Sequence, residues 1–273
     1  MTKNYSRVSE ESKLSRTYIV AAKRTAIGKM NGSLATKSAV DLGSYAIKGA
    51  VSQSKIDPNN IDQVLMGNVI QAGVGQNPAR QAAVKAGLDF SIPAITINDV
   101  CGSGLSSVNL AASLIAAGQA QVVIAGGMES MSLAPFVVQK DQVNDQFDRD
   151  DLIDTVQSDA LTDAWGGYQM GMTAENIADK YHVTREQMDE FSFNSHMKAV
   201  DAQRTRAFED EIVPIDNVTA DQAVRPDTSI EKLATLKPVF KDQGTVTAGN
   251  ASGLNDGAAV VMLASQAAVE KFN

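Results

Sequence analysis

Cys101 is the only thiol in the 273 residues, and its neighbours give it a setting suited to sulfur chemistry. Ile95-Thr-Ile-Asn98 reads as a short buried strand, Asp99-Val100 as a turn, and Cys101-Gly-Ser-Gly104 as a small-residue bend running into a helix over 105–117. A cysteine placed where a strand gives way to a helix meets the helix N-terminus, whose free N–H groups and partial positive charge favour the reactive thiolate form. Such N–H groups can also hold an oxyanion, as in the serine version of a nucleophile elbow. The flanking glycines let backbone and substrate come close. Two other readings stay open on residue type alone. Most free cysteines are small buried hydrophobes, and Gly102-x-Gly104-x-x-Ser107 is a degenerate dinucleotide fingerprint that lacks its third glycine and does not follow the first strand.

A nucleophile needs a base, and the chain holds only two histidines. His182 lies just before Thr184-Arg-Glu-Gln187, which has the form of a capping box. His196 falls inside the helix that the box opens. Exposed helix histidines are usually solvated polar residues, so neither is assigned to Cys101.

The elements that must position the cysteine follow an alternating rhythm. Strands are expected over 18–22, 63–70, 94–98 and 122–125, with helices over 39–53, 78–86 and 105–117 between them. This alternation predicts a mainly parallel α/β sheet with helices on its faces. From Met131 to about residue 245 irregular, Asp/Gln-rich sequence replaces it, an excursion from the core. Within the excursion Met188, Phe191, Ser195, Ala199 and Ala202 line one face of a predicted helix of about 20 residues. The segment 258–264 reads as a returning strand, and Ser265 as the N-cap of a last helix that stops at Asn273. A domain rarely ends as a helix starts, so the polypeptide is expected to be a truncated form or a fragment.

Composition narrows the class. A hydrophobic content of 44% supports a large core, and a net charge of −8 disfavours non-specific nucleic-acid binding. One cysteine allows no internal disulfide, and no signal-peptide pattern opens the chain, so a cytoplasmic setting is expected. Residues 1–16 are polar and aperiodic, and read as a flexible extension. Val100 to Met128 carries no charge, yet glycines and glutamines leave an apolar stretch shorter than the roughly 20 residues a bilayer requires. A buried central helix followed by a buried strand is expected instead, with no membrane partner.

Ile97-Asn-Asp-Val-Cys101-Gly-Ser-Gly-Leu105 resembles the active-site pattern of the thiolases. Gly75-Gln-Asn-Pro-Ala-Arg-Gln81, Ala125-Gly-Gly-Met-Glu-Ser-Met131 and Thr245-Val-Thr-Ala-Gly-Asn-Ala-Ser-Gly-Leu-Asn-Asp-Gly-Ala258 resemble further thiolase motifs in family order. The likeness covers essentially all of residues 17–273. A beta-ketoacyl synthase-like condensing enzyme also has a cysteine elbow, but the 247–252 and 126–131 segments are thiolase-like.

The resemblance implies a thiolase N-terminal half-fold: a mixed, mainly parallel sheet with helices on both faces, plus an irregular α/β loop subdomain over 132–245. It implies the activity of an acetyl-CoA acetyltransferase in fatty acid metabolism, condensing two acetyl-CoA to acetoacetyl-CoA or running the reverse thiolysis through an acyl-Cys101 intermediate. Coenzyme A thioesters are then substrates, and no cofactor or metal is implied. By the same resemblance Arg225 meets the nucleotide end of CoA, while Phe240, Ala248, Ser252 and Leu161 lie along the pantetheine groove. Gln169 and Met170 close the acyl pocket, where relatives usually carry histidine before the methionine; an amide cannot titrate. Lys232 stands where relatives often have serine.

The family's Asn-x-x-Gly-Gly region, Gly-His-Pro loop and Cys-x-Gly-Gly-Gly loop have no counterpart in the sequence. They supply the base for the nucleophile and the acid/base for the α-carbon. The chain alone is therefore expected to be inactive, and a non-catalytic CoA-binding or dimerisation module is the alternative. A homodimer or homotetramer is implied, with Met131–Lys140 the candidate tetramerisation loop.

Overall fold

The computed structural model describes residues 16–138 and 149–272. The expected flexible extension lies outside them except for its last residue, as does the end of the candidate tetramerisation loop.

A seven-stranded mixed sheet forms the centre, in the order β4-β3-β5-β9-β1-β8, with β2 paired to β9. Its strands are β1 (Thr17–Thr25), β2 (Gly28–Lys29), β3 (Gln63–Gly67), β4 (Ala94–Ile97), β5 (Val122–Ser130), β8 (Ile212–Val213) and β9 (Asn255–Ser265). β3 runs parallel to both β4 and β5, and β1 parallel to β8. β9 is antiparallel to both of its long neighbours. It therefore returns the chain to the sheet centre after the excursion and fills the place between β1 and β5.

Two cores follow from the two faces of that sheet. Helices α1 (Ala39–Ser54) and α2 (Pro78–Lys85) cover one face, where Leu42, Ile47, Met66, Ile124 and Met262 are fully buried. On this side the last helix, the expected one capped by Ser265, buries Ala268; it spans Gln266–Phe272, and Ser265 Oγ accepts from Ala268 N at 3.1 Å. Helix α3 (Ser103–Ala116) covers the other face, packing Ala111 and Ile115 on Leu65, Val123 and Leu263. α1 begins with a full capping box between Ser38 and Asp41, and the Asp41 carboxylate also pairs with Lys85 of α2, tying the two helices together.

Three expectations are corrected. α3 is buried on one face only, and Leu105 is 68% exposed, because no described element covers its outer side. Ile95 is 45% exposed because β4 is the edge strand, with a single neighbour. β5 extends five residues past the expected strand, since β9 pairs with it as far as Ser130↔Asp256. A Cβ on Gly126 would collide with the Ala259 carbonyl oxygen, so this close β5/β9 approach requires glycine.

The excursion between β5 and β9 holds a small hairpin of β6 (Phe136–Val137) and β7 (Ile153–Asp154), then α4 (Met170–Tyr181), α5 (Arg185–Arg204) and α6 (Ile230–Ala234). The capping box of α5 is complete: Thr184 Oγ1 accepts from Gln187 N, and Gln187 Oε1 accepts from Thr184 N. Its predicted packed face is corrected too, because Phe191 is 77% exposed and Asp189 is the buried residue. Polar contacts turn the helix. Arg185 pairs with Asp189 at 2.8 Å and donates to the carbonyls of Leu233 and Leu236, while Asn250 Nδ2 donates to Asp189 Oδ1. Among the described residues, no helix is long and apolar enough to cross a membrane.

Candidate active site

Between β4 and α3 the chain reverses in five residues, and the hydrogen bonds there are dense. Asp99 N donates to Ser103 Oγ at 2.8 Å, Ser103 Oγ donates to Val100 O at 2.6 Å, and Ser106 Oγ donates to the Asp99 carboxylate at 2.5 Å. Gly102 N donates to Asp99 O. At the apex Val100 has φ +47°, a left-handed conformation that is an outlier for a β-branched residue. Cys101 follows it, one residue ahead of the α3 N-cap Gly102, and is exposed. Its thiol has no hydrogen-bonding partner among the described residues. Gly67, at the end of β3, backs the elbow closely: a Cβ there would lie 2.7 Å from the Ser103 carbonyl carbon.

A second layer behind the elbow was not foreseen from the sequence. The Glu129 carboxylate, near the end of β5, accepts from Asn68 Nδ2 (2.8 Å) and Ile70 N (3.3 Å) on one oxygen and from Val69 N (2.8 Å) on the other. Asn98 Nδ2 donates to Val69 O at 3.4 Å, and Asn98 Oδ1 accepts from Val100 N at 3.0 Å. Burial pushes the Glu129 carboxyl up to about 7, against the opposing pull of the Val69 and Ile70 amides and of Asn68. Asn68 is itself buried, and its Oδ1 has no partner among the described residues. A glutamate directly after the apolar run 122–128 was the available signal.

The residues implied for CoA form a neighbourhood of their own in the excursion. Leu161 ends a π-helical turn over Val156–Leu161, and the next residue, Thr162, bridges to Gln169. Gln169 is the N-cap of α4, and its amide donates to Gln157 Oε1 at 2.9 Å. Met170 begins α4 and is partly exposed. Phe240 lies against Gly171, where any Cβ would collide with its ring. Val239 N donates to Val246 O and Pro238 bridges to Thr247, which brings Phe240 beside the turn carrying Ala248 and Ser252. Both of those residues are exposed.

Arg225 stands at the α5 side of the excursion, exposed, and its N–H donates to His196 Nδ1 at 3.3 Å. Burial first, and then the Arg225 charge, hold His196 below its ordinary pKa, which suits a neutral ring accepting at Nδ1. His182 is the left-handed C-cap of α4. No hydrogen bond or ion pair among the described residues joins either histidine, or the excursion residues named above, to Cys101. Lys232 pairs with Asp227 at 3.2 Å.

The chain belongs to the family of the thiolase N-terminal domain, whose model matches residues 17–267. It is 49% identical to a protein of Escherichia coli K12 named acetyl-CoA acetyltransferase, over 92% of this chain and 66% of that one. It is also 49% identical to an acetyl-CoA acetyltransferase of Chromobacterium violaceum, over 90% of this chain and 65% of that one. A probable acetyl-CoA acyltransferase of Staphylococcus aureus is 44% identical over 95% of this chain and 68% of its own length. The chain thus spans about two thirds of the length of these relatives.

Proposed function

We propose that this chain carries the acyl-accepting half of an acetyl-CoA C-acetyltransferase, with Cys101 as the nucleophile. The observation that carries the reading is the exposed thiol beside the N-terminus of α3, on the strained Val100 turn. In the proposed step the Cys101 sulfur attacks the thioester carbonyl of acetyl-CoA; the new S–C bond forms as the bond to CoA breaks, and CoA leaves as its thiol with the proton given up by Cys101. The first-turn amides of α3 support the oxyanion formed on the way. A second acetyl-CoA then gives up an α-proton, its α-carbon attacks the acetyl carbonyl as the S–C bond to Cys101 breaks, and the sulfur takes back a proton, giving acetoacetyl-CoA; the same steps reversed are a thiolysis in fatty acid metabolism. CoA thioesters are substrates here, not resident cofactors.

Arg225 is proposed to meet the nucleotide phosphates, with Leu161, Phe240, Ala248 and Ser252 along the pantetheine arm and Gln169 and Met170 at the acyl end. The tie between Phe240, α4 and the 245–252 turn supports this grouping. The working protein is proposed to be a cytoplasmic homo-oligomer, with residues 17–273 as its N-terminal half and 132–245 as the loop subdomain. Turnover needs a proton acceptor at Cys101, and no described residue holds that place, so the chain by itself is proposed to acylate slowly and not to condense.

The test is to incubate the chain with acetyl-CoA, with and without imidazole as an external base, and to map acetyl groups by mass spectrometry. One thioester-linked acetyl group on Cys101, formed faster with imidazole and absent in Cys101→Ser, is the expected result. CoA binding without any acetylation of Cys101 would favour the second reading, a non-catalytic CoA-binding module, which the missing thiol partner supports.

A further inference from the structure

The side chains behind the elbow form a continuous relay, and its members are costly ones. A carboxyl raised to about 7 by burial and an amide oxygen buried without a partner both oppose folding. Left-handed Val100, at the far end of the relay, opposes it as well. Constellations that lower stability persist where the surrounding structure uses them, and hydrogen bonds link Asn68 and Glu129, through Val69 and Asn98, to Val100, the residue before Cys101.

We infer that Glu129 is a positioning residue for Cys101: its carboxylate clamps the 68–70 loop and, through Val69 O and the Asn98 side chain, holds Val100 in the left-handed turn that presents the thiol. The inference rests on Cys101 being the acyl acceptor. A carboxylate suits the task because three donors converge on its two oxygens. Glutamine in its place keeps the size but turns one of those oxygens into an NH2 group facing an N–H or another amide, so one leg of the clamp opens. Asn98 is the exposed link, and its two ends are not interchangeable: Nδ2 donates to Val69 O, and Oδ1 accepts from Val100 N.

The experiment compares two rates on the intact chain, where every thiol adduct reports on Cys101 alone. Iodoacetamide alkylation reads access to the thiol. Acetylation by acetyl-CoA with imidazole present reads its alignment with a thioester and with the α3 amides. Glu129→Gln and, separately, Asn98→Ala are expected to slow acetylation by about tenfold to a hundredfold, the range that an ångström of misplacement costs. Alkylation should change less than about twofold, since exposure is kept.

Glycine adopts a positive φ without strain, so adding Val100→Gly to Glu129→Gln should recover most of the lost acetylation rate. Val100→Gly alone controls for its own stabilising effect: a repaired turn raises the acetylation rate more in the Glu129→Gln background than in wild type. Because Asn98 is exposed, its substitution keeps the test available if Glu129→Gln does not fold.

Wild-type acetylation together with unchanged rates in Glu129→Gln or Asn98→Ala would overturn the inference, as would a double variant that stays as slow as Glu129→Gln. Failure of the wild-type chain to acetylate at all would instead remove the reading of Cys101 on which the inference rests.

Discussion

Val100 and Glu129 hold free energy that the fold does not recover locally, and each makes a measurable prediction. A β-branched residue at φ +47° costs about 1–3 kcal/mol, more than the entropy of a glycine there at roughly 0.5–1 kcal/mol. Val100→Gly should therefore stabilise the chain by about 1 kcal/mol, seen as a higher urea midpoint with an unchanged slope. An equal or lower midpoint would mean that the Val100 side chain gains more from its surroundings than its backbone loses. For Glu129 the folded value, about 7, lies above the ordinary glutamate value of 4.5. Between those two values the folded chain holds a proton that the unfolded chain has released, so stability should fall as pH rises from about 4.5 to 7. At roughly 1.4 kcal/mol per unit the full effect is about 3 kcal/mol. Urea titrations at pH 5 and pH 7.5 should show that slope in wild type and a flatter one in Glu129→Gln. The nucleophile was legible in the sequence because a lone cysteine between a strand and a run of small residues is a local pattern. The role of Glu129 was not, because its donors lie about 60 residues away and meet it only through the parallel β3/β5 pairing.

Glu175 of α4 does for the excursion what Glu129 does for the elbow, with the opposite sign in pH. Its carboxylate is buried and accepts from Thr245 N, Val246 N and Thr245 Oγ1 at 2.8 to 3.0 Å. It thereby fixes α4 to the strand-like segment that leads into the 247–252 turn. Burial alone would raise its pKa, but those donated hydrogen bonds and the nearby Lys241 together hold it below the usual glutamate value. A depressed folded value means that the stabilisation is complete above the unfolded value and is lost as pH falls through the folded one. Glu175→Gln should cost about 1–3 kcal/mol at pH 7. The gap to wild type should narrow in urea titrations near pH 4, and a gap independent of pH would show that the charge plays no part. Elements with local signals were legible: the α5 capping box, the Ser265 cap and the length of α5 follow from short-range spacing. The face that α5 buries was not, because the Arg185–Asp189–Asn250 contacts override the apolar stripe that begins with Met188 and Phe191. No rule of helical periodicity contains a partner 61 residues ahead.

The two sheet faces are unequally covered, and this imbalance governs how whole molecules should meet. One face carries α1, α2 and the last helix, while among the described residues the other carries α3 alone. Beside α3 lies an open groove of about 440 Å³, lined mainly by apolar residues including Ala22, Leu105, Val108, Ala125 and Val261, with Lys23, Arg24 and Glu211 also on its wall. Leu105 and Leu110 add exposed apolar area on α3 itself. Contiguous apolar surface of this kind drives association, whereas the net charge of −8 opposes it at pH 7. Salt separates the two contributions, because the Debye length shortens from about 30 Å at 0.01 M to about 8 Å at 0.15 M and screens only the repulsion. Light scattering should therefore show an average mass that rises with protein concentration and rises further with salt. Leu105→Glu combined with Leu110→Glu should return the scattering to that of a monomer under the same conditions. If instead the mass falls as salt is added, charge pairs hold the molecules together, and the apolar flank of α3 is not the surface through which they meet.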